Sequence, residues 1–266
     1  MGQGNVYPNA PVVLVALEVR HPTAGPLSQT QQRKIKQRLN DVLPILRTGQ
    51  LTNIQGVLGA TEPPTVDVEK FPKFFNRDST ISSSVREGGI VIETTRYAGW
   101  DRLRELVSNV LLARREVGEI DGVERVGLRY INEIRVPGQP YSDWEPWVDT
   151  TLLGPARRGE KLGLPAVHWQ GVTAFAPGPD RTAVLRYGPR EGYAVDPGGD
   201  LKRPAPTPGP FFLMDIDSFW TPSEEVPKFD VDQLVATSNE LHAPARTLFE
   251  SLITDRLREE VLRHGE

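Results

Sequence analysis

Residues 122–136, GVERVGLRYINEIRV, place apolar and charged side chains at alternate positions. That repeat is the pleat of a β-strand and not the turn of a helix. Val126, Leu128, Tyr130, Asn132 and Ile134 fall on one face, and Arg125, Arg129, Glu133 and Arg135 on the other. A strand apolar on one side and wet on the other belongs to a sheet packed on one face, which antiparallel sheets permit and wholly parallel ones do not. The chain is therefore expected to be α+β, with its helices gathered against one face of a mainly antiparallel sheet.

The remaining periodicities fill in that frame. Residues 11–20 (PVVLVALEVR) are short and β-branched and read as a buried strand, closed by Pro22, Gly25 and Pro26. Ser28 and Gln31 form a capping box, and Ile35, Leu39, Val42 and Leu43 follow at helical spacing up to Pro44. Three strands are expected next, at 50–58, 74–86 and 90–97, the last two joined at Glu87-Gly88-Gly89. Leu103, Leu106, Val107, Val110 and Leu111 mark a helix from Trp100 to about Val117.

The order then repeats. After the strand at 122–136, Asp143 is placed to cap a short helix carrying Trp144, Trp147, Val148 and Leu152, and strands are expected at 168–176, 182–187 and 211–219. A long closing helix over 231–263 follows, kinked or broken at Pro244. The reading is of two tandem β-α-β-β-β-α pseudo-repeats, 1–120 and 121–266, merging into one curved sheet of saddle or helix-grip type. The rival is two domains hinged near 118–122, where no linker-like composition supports it. Residues 188–210, dense in Pro and Gly, are expected as a flap that either touches a partner or stays solvated.

Composition removes several classes of function. A charged share of 25% and a net charge of -4 do not fit a basic nucleic-acid binder. No apolar run approaches the length of a membrane span, and the first residues lack the pattern of a secretory signal, so a cytoplasmic protein is expected. Having no Cys excludes disulfides, thiolate nucleophiles and Cys-based metal sites. The nucleophile elbow, the dinucleotide fingerprint and the phosphate-binding P-loop are all missing from the sequence, and no cofactor is expected.

Asp215 and Asp217 in FFLMDIDSFW stand two apart on a strand, so both carboxylates share a face where a cation or a proton could bridge them. No third ligand stands at a recognisable spacing, and no metal is assigned. Arg129 and its neighbours offer guanidinium groups to an anion, with a solvated row of cross-strand ion pairs as the plainer alternative. Glu133 belongs to the same row, whereas Asn132 sits on the apolar face, where an amide must find partners. His168 is the best acid–base candidate among four histidines, and Trp169 and Trp220 are the tryptophans nearest the candidate polar groups.

Pro11-Val12-Val13, the run from Gly127 to Ile134, Met214-Asp215-Ile216-Asp217, Leu241-His242, Phe249-Glu250, Ile253-Thr254 and Leu257-Arg258-Glu259 carry a resemblance. On these marks the chain resembles a sporadically distributed family of bacterial proteins of similar length, over nearly its whole extent. The resemblance implies a bacterial or phage-borne accessory protein of the kind found in defence or toxin–antitoxin-like modules, and it carries over no catalytic residue. Together the readings give a non-enzymatic recognition protein that meets a protein partner, a second copy of the chain included, through the open sheet face and the flap. The alternative is a small-molecule or metal-binding cavity, or a hydrolase site, between sheet and closing helix, anchored by Asp215, Asp217, Arg129 and His168.

Overall fold

The computed structural model describes residues 6–55, 65–138, 143–166, 168–204 and 206–264. Among them nine strands form one antiparallel sheet. They are β1 (Val12–Arg20), β2 (Ile45–Gln55), β3 (Thr65–Phe75), β4 (Ile81–Arg86), β5 (Gly89–Thr94), β6 (Arg125–Ile134), β7 (Gly171–Gly178), β8 (Arg181–Gly192) and β9 (Gly209–Trp220). The order across the sheet is β2-β3-β4-β5-β1-β6-β9-β8-β7. The helices are α1 (Gln29–Arg38), α2 (Trp100–Arg115), α3 (Gly154–Lys161), α4 (Val231–Leu252) and α5 (Asp255–Leu257). None of the helices described is long and apolar enough to cross a membrane.

Register explains why one face is dry. Val15, Leu17 and Val19 of β1 lie opposite Tyr130, Leu128 and Val126 of β6, and Tyr130 lies opposite Ile216 of β9. These side chains are buried in one core with Leu106, Val107 and Val110 of α2 and Leu234 and Leu241 of α4. Helix α4 lies across β6 and β9 and beside α2, which in turn meets α1. At α1 the expected capping box is present: Ser28 N donates to Gln31 Oε1 (2.9 Å) and Gln31 N to Ser28 Oγ (3.3 Å).

Several expected elements are redrawn. Four strands, not three, separate α1 from α2. The expected strand at 74–86 is two, because Asn76 Oδ1 accepts from the backbone N–H groups of Thr80 (2.8 Å) and Ile81 (3.0 Å) and folds a tight turn there. Pro72 hides β3 from a reading by composition; the strand meets β4 only at Lys73, Phe74 and Phe75, so the proline stands outside that ladder, where a missing N–H is tolerated. Residues 56–58 of the expected strand at 50–58 lie outside the described residues.

Asp143 does not cap a helix. Residues 145–147 form a turn, Val148 bridges to Ile253, and Asp149 caps a short 3-10 turn (Thr150–Leu153) by accepting from Thr151 N at 2.9 Å. Helix α3, unexpected from the sequence, follows directly and buries none of its side chains. Helix α4 runs through Pro244 and ends at Leu252; the break comes at Ile253, whose extended backbone turns its side chain into the core. Thr254 then caps α5, accepting from Leu257 N at 3.2 Å.

The Pro/Gly-rich excursion is shorter than expected, since β8 continues to Gly192 and β9 begins at Gly209. Residues 193–204 of the intervening segment are tied to the sheet face opposite the helices. Lys202 N donates to Ser79 O (2.8 Å), Thr95 Oγ1 to Lys202 O (2.6 Å), and Lys73 Nζ to Asp200 Oδ2 (3.2 Å).

Candidate functional site

The eight residues singled out from the sequence do not converge on one site. Three of them meet on the open face. Arg129 forks onto Asp215, with Nε–Oδ1 and Nη2–Oδ2 both at 2.7 Å, and the Asp215 carboxylate is almost fully buried beneath it. Arg186 Nη1 stands 3.7 Å from the same carboxylate. Asp217 faces Arg125 at 3.6 Å, and Arg125 also holds Glu18 at 2.8 Å. Burial pushes the Asp217 carboxyl up, against the pull of Arg125 and Arg129. Hydrogen bonding to Asp215 raises the Arg129 guanidinium in turn. Three carboxylates, Glu18 included, are thus already matched by three guanidinium groups, and a divalent cation would have to displace them. Among the described residues no group of three or more His, Asp or Glu side chains is placed to hold a metal.

Glu133, expected on a wet face, is instead among the most buried carboxylates, its side chain 1% exposed. It accepts from Ala194 N (2.8 Å), Arg135 Nε (2.9 Å) and Arg203 Nη2 (3.1 Å), and so fastens residues 193–204 down. His168 is exposed, 3.4 Å from Arg190 Nη1, and Trp169 donates its indole N–H to Leu152 O at 3.3 Å. Trp220 is half-buried at the end of β9, opposite Val126.

Of the eight, only Asn132 reaches the cavity between the sheet and α4. Its Nδ2 donates to Met214 O (3.0 Å), it is 5% exposed, and its carbonyl oxygen has no hydrogen-bond partner among the described residues. The cavity, about 650 Å³, opens between the sheet and α4, with residues 6–12 and the first turn of α2 as its other walls. It lies on the helix-covered face, where Ile216 projects, so Asp215 and Asp217, on either side of Ile216 in the strand, point away from it.

Three polar tips join Asn132 there. Tyr130 of β6 meets His242 Nδ1 of α4 at 2.9 Å, and Tyr97, from the turn before α2, stands edge-on to Tyr130 with ring centroids 5.6 Å apart. Trp100, the first residue of α2, stacks on the His242 imidazole (4.6 Å, 7°) and is itself held by Asn239 Oδ1 at 2.7 Å. Burial, reinforced by the charge of Arg246, lowers the His242 imidazole to about 4. Burial likewise pushes the Tyr130 phenol well up and the Tyr97 phenol up. All three are neutral across the physiological range, so they offer directional hydrogen bonds without charge.

One sequence signal for this cavity does exist. His242, Ala245, Arg246, Phe249 and Glu250 recur at the spacing of one helical face, and on that stripe polar and aromatic residues stand where a core helix would carry aliphatic ones. No protein-family model matches the chain, and no curated protein matches it.

Proposed function

We propose that this is a non-enzymatic recognition protein that holds a small organic ligand in the cavity between the sheet and α4. The carrying observation is the convergence of Tyr97, Tyr130, His242 and Asn132, four uncharged hydrogen-bonding tips on two elements and a turn, in a cavity otherwise walled largely by apolar and aromatic groups. Such a combination is the usual signature of a ligand pocket. A set of nucleophile, base and oxyanion donors, as acyl transfer would need, does not accompany it among the described residues. Ligand screening by thermal shift tests the reading: a bound compound raises Tm by several degrees, and Ala98→Trp, which fills the exposed rim of the cavity, abolishes the gain. A gain that survives Ala98→Trp places the ligand elsewhere and overturns the assignment.

A second reading, a protein partner on the open sheet face, is favoured by strand β7. This edge strand is exposed on both faces, with Val172 66% and Phe175 39% exposed, and it carries no charge to block pairing with another strand. A second copy of the chain is the partner that sedimentation of the purified protein would reveal directly. The accessory, bacterial setting comes with the family resemblance. The strand order supports the pseudo-repeat: β1 and β6 lie side by side, flanked by β5 and β9, then β4 and β8, then β3 and β7. Two units so joined make the continuous saddle on which both readings draw.

A further inference from the structure

The charges around the cavity are not evenly matched. Asp101 is paired with Arg104 (3.2 Å), Arg102 with Glu105 (3.6 Å), and Glu250 accepts from Tyr7 Oη (2.9 Å) and Arg258 Nε (3.4 Å). Arg246, on the same wall, makes no hydrogen bond or ion pair among the described residues. Its charge nevertheless reaches both His242 and Tyr97.

The wall formed by the first turn of α2 carries partial positive charge of its own. Helix α2, 16 residues long, starts from Gly99 at a φ of 108° with no side-chain cap, and Gly99, Trp100 and Arg102 all line the cavity. Its first N–H groups are therefore free to meet an acceptor, and the helix dipole favours an anionic one. Deeper in, Asn132 lines the cavity, and its amide oxygen can accept from a donor on a ligand.

We infer that the cavity takes a planar aromatic monocarboxylate, its carboxylate between Arg246 and the first turn of α2, its ring along Tyr97 and Phe249, and a ring N–H or hydroxyl on Asn132. The inference rests on the cavity reading above and deepens it. One unmatched guanidinium calls for one negative charge; a dianion such as a phosphate monoester would leave excess charge beside Asp101 and Glu250. Arginine binds carboxylate through two parallel N–H bonds, which fixes the plane of the group as well as its place. The flat walls then select a ring continuous with that plane over a branched aliphatic acid.

Calorimetric titration of the full chain with indole-3-carboxylate, and with indole-3-methanol as its neutral counterpart, tests this. The carboxylate should bind more tightly than the alcohol. Arg246→Ala should weaken the carboxylate about ten-fold or more while leaving the alcohol unchanged, and Arg246→Lys should restore part of the loss. Arg246 is exposed, and an unchanged melting temperature of the unliganded variant confirms that it folds. Equal binding of acid and alcohol, with Arg246→Ala indifferent and Ala98→Trp abolishing both, would overturn the anion assignment and leave the cavity reading standing. Binding of neither probe refutes the ligand class, and binding that Ala98→Trp does not disturb refutes the cavity itself.

Discussion

Replacing Glu133 by glutamine removes one charge from a buried cluster without changing its shape. The carboxylate holds Arg203, whose side chain is 3% exposed and has only Val195 O (2.8 Å) as a further acceptor among the described residues. Arg135 is better placed, since it keeps Gly209 O (3.2 Å) and Gly192 O and is partly wet. The penalty therefore falls mainly on Arg203, and stranding a buried charge in this way costs about 3–5 kcal/mol. The amide oxygen that glutamine brings to this position would still accept from Ala194 N, which puts Glu133→Gln near ~3 kcal/mol and Glu133→Ala above it. If the fold absorbs the whole penalty, Tm falls by roughly 6–12 °C. If residues 193–204 lift first, Arg203 is rehydrated, and the loss appears as faster hydrogen exchange confined to Ala194 and Lys202 and their neighbours. Urea unfolding combined with exchange separates the two routes. A variant with unchanged unfolding midpoint and unchanged exchange at both amides would refute the clamp.

Three further outcomes are expected. His242, lowered to about 4, stays neutral in the folded chain while the unfolded chain takes up its proton near its ordinary pKa of 6.5, so stability is complete above about 6.5 and falls as the pH drops towards 4. The loss reaches at most about 3 kcal/mol and less after solvent screening; His242→Asn should flatten most of the slope, His21, buried and also lowered, accounting for the remainder. Arg129→Met strands the Asp215 carboxylate with only the distant Arg186 and should cost about 2–3 kcal/mol in urea unfolding, whereas Arg129→Met with Asp215→Leu should recover most of it. Ser28→Ala removes both bonds made by the hydroxyl at the start of α1 and should lower stability by about 1 kcal/mol in the same measurement, a loss that Ser28→Asp largely avoids.

What is legible in the sequence is local. The Ser28–Gln31 box and the two faces of β6 depend on residues within one turn or one strand, and spacing alone reports them. Glu133 shows where spacing stops. It stands on the charged face as read, but Ala194 and Arg203, 61 and 70 residues further on, fold over it and make that end of the face interior. The cavity is hard to read for a related reason: Tyr130, His242 and Trp100 come from three elements, and only Asn132, polar on an apolar face, and the polar stripe of α4 point to it. Pro244 reads as a breaker and so masks the polar stripe of α4, which the helix carries straight through the proline.

The central position of β1 sets a timetable for synthesis. It is translated before both of its neighbours, yet it sits between β5 and β6, and β6 cannot close its second side until Arg125–Ile134 leave the ribosome. At about 5–20 residues per second that interval is on the order of ten seconds, during which a strand rich in valine and leucine presents a bare edge to its surroundings. Any fragment that stops short of Arg125 keeps that edge for good, and such fragments should bind chaperones or precipitate more readily than the chain of 266 residues.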